Sequence, residues 1–141
     1  MIERYSTPEI RKLWSLERKF EVWRDIEIAA CEYWHAQGRL TDTELNEIRT
    51  KSTFTVERIN QIENEVHHDV IAFLTALAEN IGPASRHVHF GLTSSDVVDT
   101  AQMLLILEAG ALIDKALVKL LVSLHNFAVK YKDLVVAGRT H

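Results

Sequence analysis

The chain is poor in residues that staple or break a backbone: one cysteine, two prolines and five glycines in 141 residues. Each shortage excludes something. A lone Cys31 cannot close an internal disulfide, so this is no disulfide-stapled secreted scaffold. Cys31 sits at an apolar position of a predicted helix and reads as a small core residue in a reducing compartment, the cytoplasm. Few prolines and glycines favour long helices over many turns. Basic residues do not dominate: 16 Lys and Arg stand against 20 Asp and Glu, with pI near 6.0. That balance lacks the clustered cations of a nucleic-acid-binding surface. The start, Met1-Ile2-Glu3-Arg4-Tyr5, has no apolar run of the kind a signal peptide needs. No His-Glu-x-x-His or Cys-x-x-Cys occurs, so no metal site is expected. Alternating strand patterns, repeats, linkers and low-complexity segments are also missing.

What is present is helical patterning. The length fits one domain, and 47% apolar with 26% charged residues is ordinary for a folded protein. Thr7-Pro8-Glu9 sets a cap, a first-turn proline and an early acid in order. Ser15 begins a second helix to about Gln37, with Leu16, Phe20, Trp23, Ile26, Ala30 and Trp34 at steps of three or four residues, and Gly38 ends it. Thr41-Asp42-Thr43-Glu44 is a capping box for a short helix to about Thr50. Thr55 opens another, carrying Ile59, Ile62 and Val66. Asp69 suits the start of a further helix to about Ala78, which Gly82-Pro83 stops. The fold class is all-α.

The last helix is different. From Val97 to Lys130, 22 of 34 residues are apolar against six charges, and Leu104-Leu105-Ile106-Leu107 and Leu120-Leu121-Val122 spread them around the axis. A helix apolar nearly all round is buried on several sides. At 1.5 Å per residue it is roughly 50 Å long. Asp99, Glu108, Asp114, Lys115 and Lys119 interrupt it too often for a membrane span, so a bundle strut that self-associates is the better reading.

Two patterns carry chemistry. Of seven histidines, four fall in two tight groups, His67-His68 and His87-x-His89, and imidazole is the side chain suited to moving protons near neutral pH. His35 and His125 read as structural. The other pattern is Gly91-Leu92-Thr93-Ser94-Ser95-Asp96, a hydroxyl-rich helix start. Thr93, Ser94 or Ser95 could cap it, and its unpaired amides and positive dipole end suit an anion.

Four segments, in order and at matching spacing, resemble the adenylosuccinate lyase family within the fumarase/aspartase superfamily. They are Ile2-Glu3-Arg4-Tyr5, His67-His68-Asp69-Val70-Ile71-Ala72-Phe73, the run from His89 to Thr100, and Gly138-Arg139-Thr140-His141. The resemblance implies an N-terminal helical domain over residues 1–92 and the start of a central helical bundle over 93–141. Family members run to several hundred residues, so the expectation is an N-terminal fragment, inactive alone, of a protein that forms homotetramers.

The implied activity is fumarate elimination from the purine nucleotides adenylosuccinate and SAICAR, with no cofactor, no nucleic acid and no membrane. His141 falls on the family's catalytic histidine, assigned as the acid at the leaving nitrogen. His68 falls on the second histidine, which holds the substrate's anionic portion and assists proton transfer. Residue types alone leave the acid and base assignment open, and the family's base is a serine of a mobile loop outside these segments. Arg4 and Tyr5 match nucleotide-holding positions, and an arginine fork suits phosphate. His67, His68 and Asp69 match a substrate-contacting triplet. Thr93 and Ser94 match donors to a carboxylate or phosphate, and Thr140 a carboxylate contact. Arg86 is a further cation, or only a surface charge. The competing readings are a non-catalytic helical oligomerisation module and another fumarate-releasing lyase of the superfamily, such as an argininosuccinate lyase or a carboxymuconate cycloisomerase.

Overall fold

The computed structural model describes residues 3–139, and its regular elements are all helical. A 3-10 turn, Glu3–Tyr5, precedes α1 (Pro8–Leu13), α2 (Leu16–Ala36), α3 (Asp42–Lys51), α4 (Val56–Val66) and α5 (Asp69–Ile81). A second 3-10 segment, Gly82–His87, leads to α6 (Ser94–Tyr131). The helix starts follow the capping chemistry of the sequence. The side chains of Thr7, Ser15 and Thr55 accept from the amides of Ile10, Arg18 and Arg58, and Thr41 with Glu44 forms the expected capping box. Gly38, at φ 76°, ends α2 with its N–H on the His35 carbonyl.

One boundary differs from the sequence reading: helix α5 runs to Ile81, beyond Ala78, before Gly82 ends it and a 3-10 segment follows directly. Proline is tolerated in a first turn, where its missing N–H is not needed, so Pro83 sits early in the 3-10 segment.

The core forms where the aromatic side chains of α2 meet α5, with α4 packed against α5. Phe20, Trp23 and Phe73 are buried, Phe20 stacking on Phe73 at 5.6 Å while Trp23 meets both edge-on. Such pairs add about 0.5–1.5 kcal/mol beyond the area they bury. Ile48 of α3, Ile59 of α4, and Leu77 and Ile81 of α5 extend the cluster. Helix α6 contributes Val97, Ala101 and Leu105, one residue per turn on a single stripe. Farther along, Arg18 of α2 is ion-paired with Glu108, and α1 packs beside Leu112. Beyond Leu112 the described residues of α6 are exposed.

The buried stripe of α2 is not quite the apolar one. Leu16 is half exposed and Ile26 and Ala30 only partly covered, whereas Glu27 lies buried between Trp23 and Cys31. The run Phe20, Trp23, Glu27, Cys31 keeps helical spacing with a charged residue at its centre. No helix among the described residues is long and apolar enough to cross a membrane.

Candidate active site

The first histidine group lies at the junction of α4 and α5, where the chain reverses within two residues. His67 takes the left-handed conformation at φ 53° and closes α4, its N–H on the Glu63 carbonyl. His68 is extended and caps α5, its Nδ1 accepting from the Ile71 amide at 3.4 Å. The sequence suggests Asp69 for the start of α5. The structure gives the cap to His68 and places Asp69 one residue inside, where its carboxylate accepts from the Val70 amide at 2.8 Å and pairs with Lys19 of α2 at 3.6 Å. Both histidine side chains are exposed. Lys19 also lies over the Trp23 ring, 4.3 Å from its centroid, which ties this corner to the aromatic core.

The second group is organised by α2. Residues Glu27, Cys31 and Trp34 lie on one face at spacings of four and three, and each holds the turn from His87 to Gly91. The Glu27 carboxylate accepts the His89 amide at 2.8 Å on one oxygen and lies 2.6 Å from His89 Nδ1 on the other. Cys31 Sγ donates to the His87 carbonyl at 3.7 Å. Trp34 Nε1 donates to the Phe90 carbonyl at 2.9 Å, and Arg39 covers the Phe90 ring. His89 is left-handed at φ 63° and Gly91 at φ 78°. A Cβ on Gly91 would come within 3.4 Å of the Trp34 ring in that backbone conformation, so glycine suits the position. Helix α6 then starts at Ser94 with Thr93 as its cap residue, and Asp96 reaches back to accept the Thr93 amide at 2.8 Å.

Two ionisable groups here are shifted. Burial, then the charges of Glu27 and Glu32, pushes the Cys31 thiol up to about 12, which keeps it protonated and unreactive. Glu44 is lowered to about 2, first by the Thr41 amide and hydroxyl, then by His87 and the charge of Arg86. It joins the cap of α3 to the 3-10 segment, since Arg86 is ion-paired with it and His87 Nε2 lies 3.2 Å away. Arg86 is therefore a structural cation of this corner. His35 is likewise paired, with Asp42 at 2.8 Å, and His125 lies on exposed α6.

The structure thus places His67, His68 and Asp69 on one corner and Thr93 and Ser94 on another, both tethered to α2. Arg4 and Tyr5 form the N-terminal turn, the Arg4 guanidinium lying 4.9 Å from the Tyr5 ring centroid, with Tyr5 largely exposed. No hydrogen bond or ion pair among the described residues joins that turn to either corner. Thr140 and His141 lie outside the described residues. The grooves between α1, α2 and α6 are lined by Arg18, Glu21, Glu108 and Leu112 rather than by the histidines, of which His67 and His68 stand on open surface. Sequence reasoning grouped His89 with His87 as suited to moving protons but gave it no role, and it passed over Glu27. Glu27 gave no signal, because a lone glutamate on a helix reads as solvated surface.

The sequence matches, over residues 3–141, a family described as Lyase. It is 40% identical over all 141 residues to an adenylosuccinate lyase of Helicobacter pylori, and 43% identical to those of Streptococcus mutans and a Synechocystis species. The chain spans 32–33% of the length of these relatives. A fumarate lyase from a Mesorhizobium species superposes with a TM-score of 0.83 at 25% identity, over 94% of this chain and 32% of that one. Both the all-α class and its fumarase/aspartase-like form follow.

Proposed function

The chain belongs to the lyase family, and we propose that it forms the substrate-binding N-terminal part of an adenylosuccinate lyase. The whole enzyme eliminates fumarate from adenylosuccinate, giving AMP, and from SAICAR, giving AICAR, in the cytoplasm, without a cofactor and as a homotetramer. The observation that carries this reading is 40–43% identity to adenylosuccinate lyases, sustained over every residue of the chain. Residues 1–92 form its N-terminal domain and 93–141 begin the central bundle.

The reaction needs a base at the carbon beta to the amine, an acid at the leaving nitrogen, and donors for the substrate's anionic groups. His68 suits the last of these and proton transfer. Its Nδ1 lone pair is taken by the Ile71 amide, which leaves the ring proton on Nε2, at the exposed edge. The first amides of α6, with Thr93 and Ser94, offer donors to a carboxylate or phosphate. His67 and Asp69 stand beside His68, the carboxylate of Asp69 already balanced by Lys19. His89 joins this set, its Nε2 unpaired among the described residues and not buried. His141 is the acid at the leaving nitrogen, Thr140 holds a carboxylate, and Arg4 with Tyr5 holds the nucleotide. The base is assigned to no residue of this chain.

A second reading, a purely assembling module, draws on the exposed length of α6. Titrating the chain with AMP while following histidine NMR signals separates the two. Localised shifts at His67, His68 and His89 are expected, and an assembly module gives none. In the enzyme containing this chain, His141→Ala is expected to lower kcat and kcat/KM together by about two orders of magnitude, as loss of an acid acting in the transition state does. Arg4→Ala should act chiefly on KM. Near-normal turnover in His141→Ala would remove it from the acid role.

A further inference from the structure

Glu27 is the one acidic residue of α2 that is buried, at 1% exposure, and the reaction chemistry does not use it. Its two oxygens are both spent on a single residue, His89, one on the backbone amide and one on ring Nδ1. A carboxylate is an acceptor only, so the ring nitrogen facing it carries a proton. His68 is anchored in the opposite sense, its Nδ1 accepting an amide proton. In their neutral forms the two histidines are thereby held in opposite tautomers, His68 turning an N–H outward and His89 a lone pair. The tether also holds the left-handed backbone of His89, which opens the turn leading to Thr93 and Ser94.

We propose that Glu27 is a positioning residue for the lyase reaction: its buried carboxylate fixes the tautomer and direction of the His89 ring, so that Nε2 faces the substrate. This rests on the lyase reading for the substrate and on the structure alone for the tautomer. A burial site for an ordinary salt bridge would not require both oxygens on one residue. Nor would it require the partner to keep one ring nitrogen at the surface. Cys31 and Trp34 fasten the neighbouring carbonyls of the same turn from the same helix face, so Glu27 acts on the ring within a backbone already held at both sides.

The test is long-range proton–nitrogen NMR of the imidazole rings in the 141-residue chain, at a pH well above the ordinary histidine pKa of about 6.5. The expected pattern is Nδ1–H at His89 and Nε2–H at His68. Glu27→Gln, which keeps the shape but can no longer accept at both atoms, is expected to move His89 toward Nε2–H and leave His68 unchanged. An Nε2–H tautomer at His89 in the unaltered chain would overturn the proposal without any variant having to fold. An unchanged His89 in a folded Glu27→Gln chain would overturn it too. In the whole enzyme, Glu27→Gln is expected to lower kcat/KM for adenylosuccinate by about a hundredfold, the scale of a misplaced contact, with Glu27→Asp recovering part of it. Unaltered enzyme without activity on adenylosuccinate would sink the lyase reading while the tautomer result still stood.

Discussion

Helix α6 has two halves of similar apolar content, of which only the first supplies a buried stripe. Its first turns bury Val97, Ala101 and Leu105 against α2 and the core, with Val97 at 0% exposure. Its later turns leave Leu117, Leu121, Leu124 and Phe127 more than half exposed. Apolar side chains alone do not decide burial. The first half is covered along that one stripe, with Met103 and Leu107 still exposed, because Arg18, α1 and the tethered turn before Thr93 hold it against the head. The second half has only the start of α1 beside its first turns, with Thr7, Glu9 and Ile10 across a groove from Ile113, Ala116 and Lys119, and its later turns are exposed among the described residues. An apolar sequence states that a helix needs partners, and only the fold shows which of them the chain itself supplies.

The sharpest way to break that contrast is to put one charge in each half. Val97→Asp buries an unpaired carboxylate and is expected to destabilise the head by about 3 kcal/mol or more. Leu121→Asp is expected to change it by less than about 0.5 kcal/mol. Denaturant unfolding followed by tryptophan fluorescence measures both, and equal losses would mean that the outer half of α6 is folded into the head. The same pair sharpens the contrast in the other direction through assembly. The chain is expected to self-associate at tens of micromolar through α6, since so large an apolar patch is unusual on a monomer. Sedimentation should show Leu121→Asp shifting the population toward monomer, whereas a monomeric unaltered chain would remove the partner role of the helix.

Most of the fold was legible before the structure because its information is local. Thr7, Ser15, Thr41 and Thr55 mark helix starts through hydrogen bonds spanning three residues, and the structure uses each one. The all-α class and the long last helix followed from periodicity. What was not legible depends on contacts distant in sequence. Glu27 meets His89 across 62 residues, and no pattern within α2 marks it as buried. The same distance effect hid the role of Lys19 beneath Asp69 and that of Arg86 against Glu44. Of the candidate site, His67, His68, Asp69, Thr93 and Ser94 were proposed through motif resemblance, and the structure adds the helix that tethers both corners.

Smaller effects test the packed side of the comparison. Glu44 is held near 2 against an ordinary 4.5. A depressed carboxylate contributes stability that is fully present above about 4.5 and is lost as pH falls from there through about 2. Glu44→Gln is expected to flatten the pH dependence of stability in that window and leave the neutral side of the profile unchanged in shape, read from thermal unfolding across the acid range. A wild-type profile already flat there would contradict the network around Thr41 and His87. Smallest of all, Cys31, with its thiol near 12, should resist alkylation at neutral pH in the folded chain and react readily in denaturant. Rapid labelling of the native chain would show that the Glu27, Cys31 and Trp34 face opens.

The most direct test joins this chain to a known enzyme. Residues 1–141 replace the matched segment of the Helicobacter pylori adenylosuccinate lyase, and fumarate release from adenylosuccinate is measured together with the oligomeric state. The expected result is an oligomer of the parent's size that turns over within about tenfold of the parent enzyme, a barrier change of about 1.4 kcal/mol. A folded oligomer of that size with no fumarate release would contradict the assignment of this chain to the substrate-binding part of the lyase.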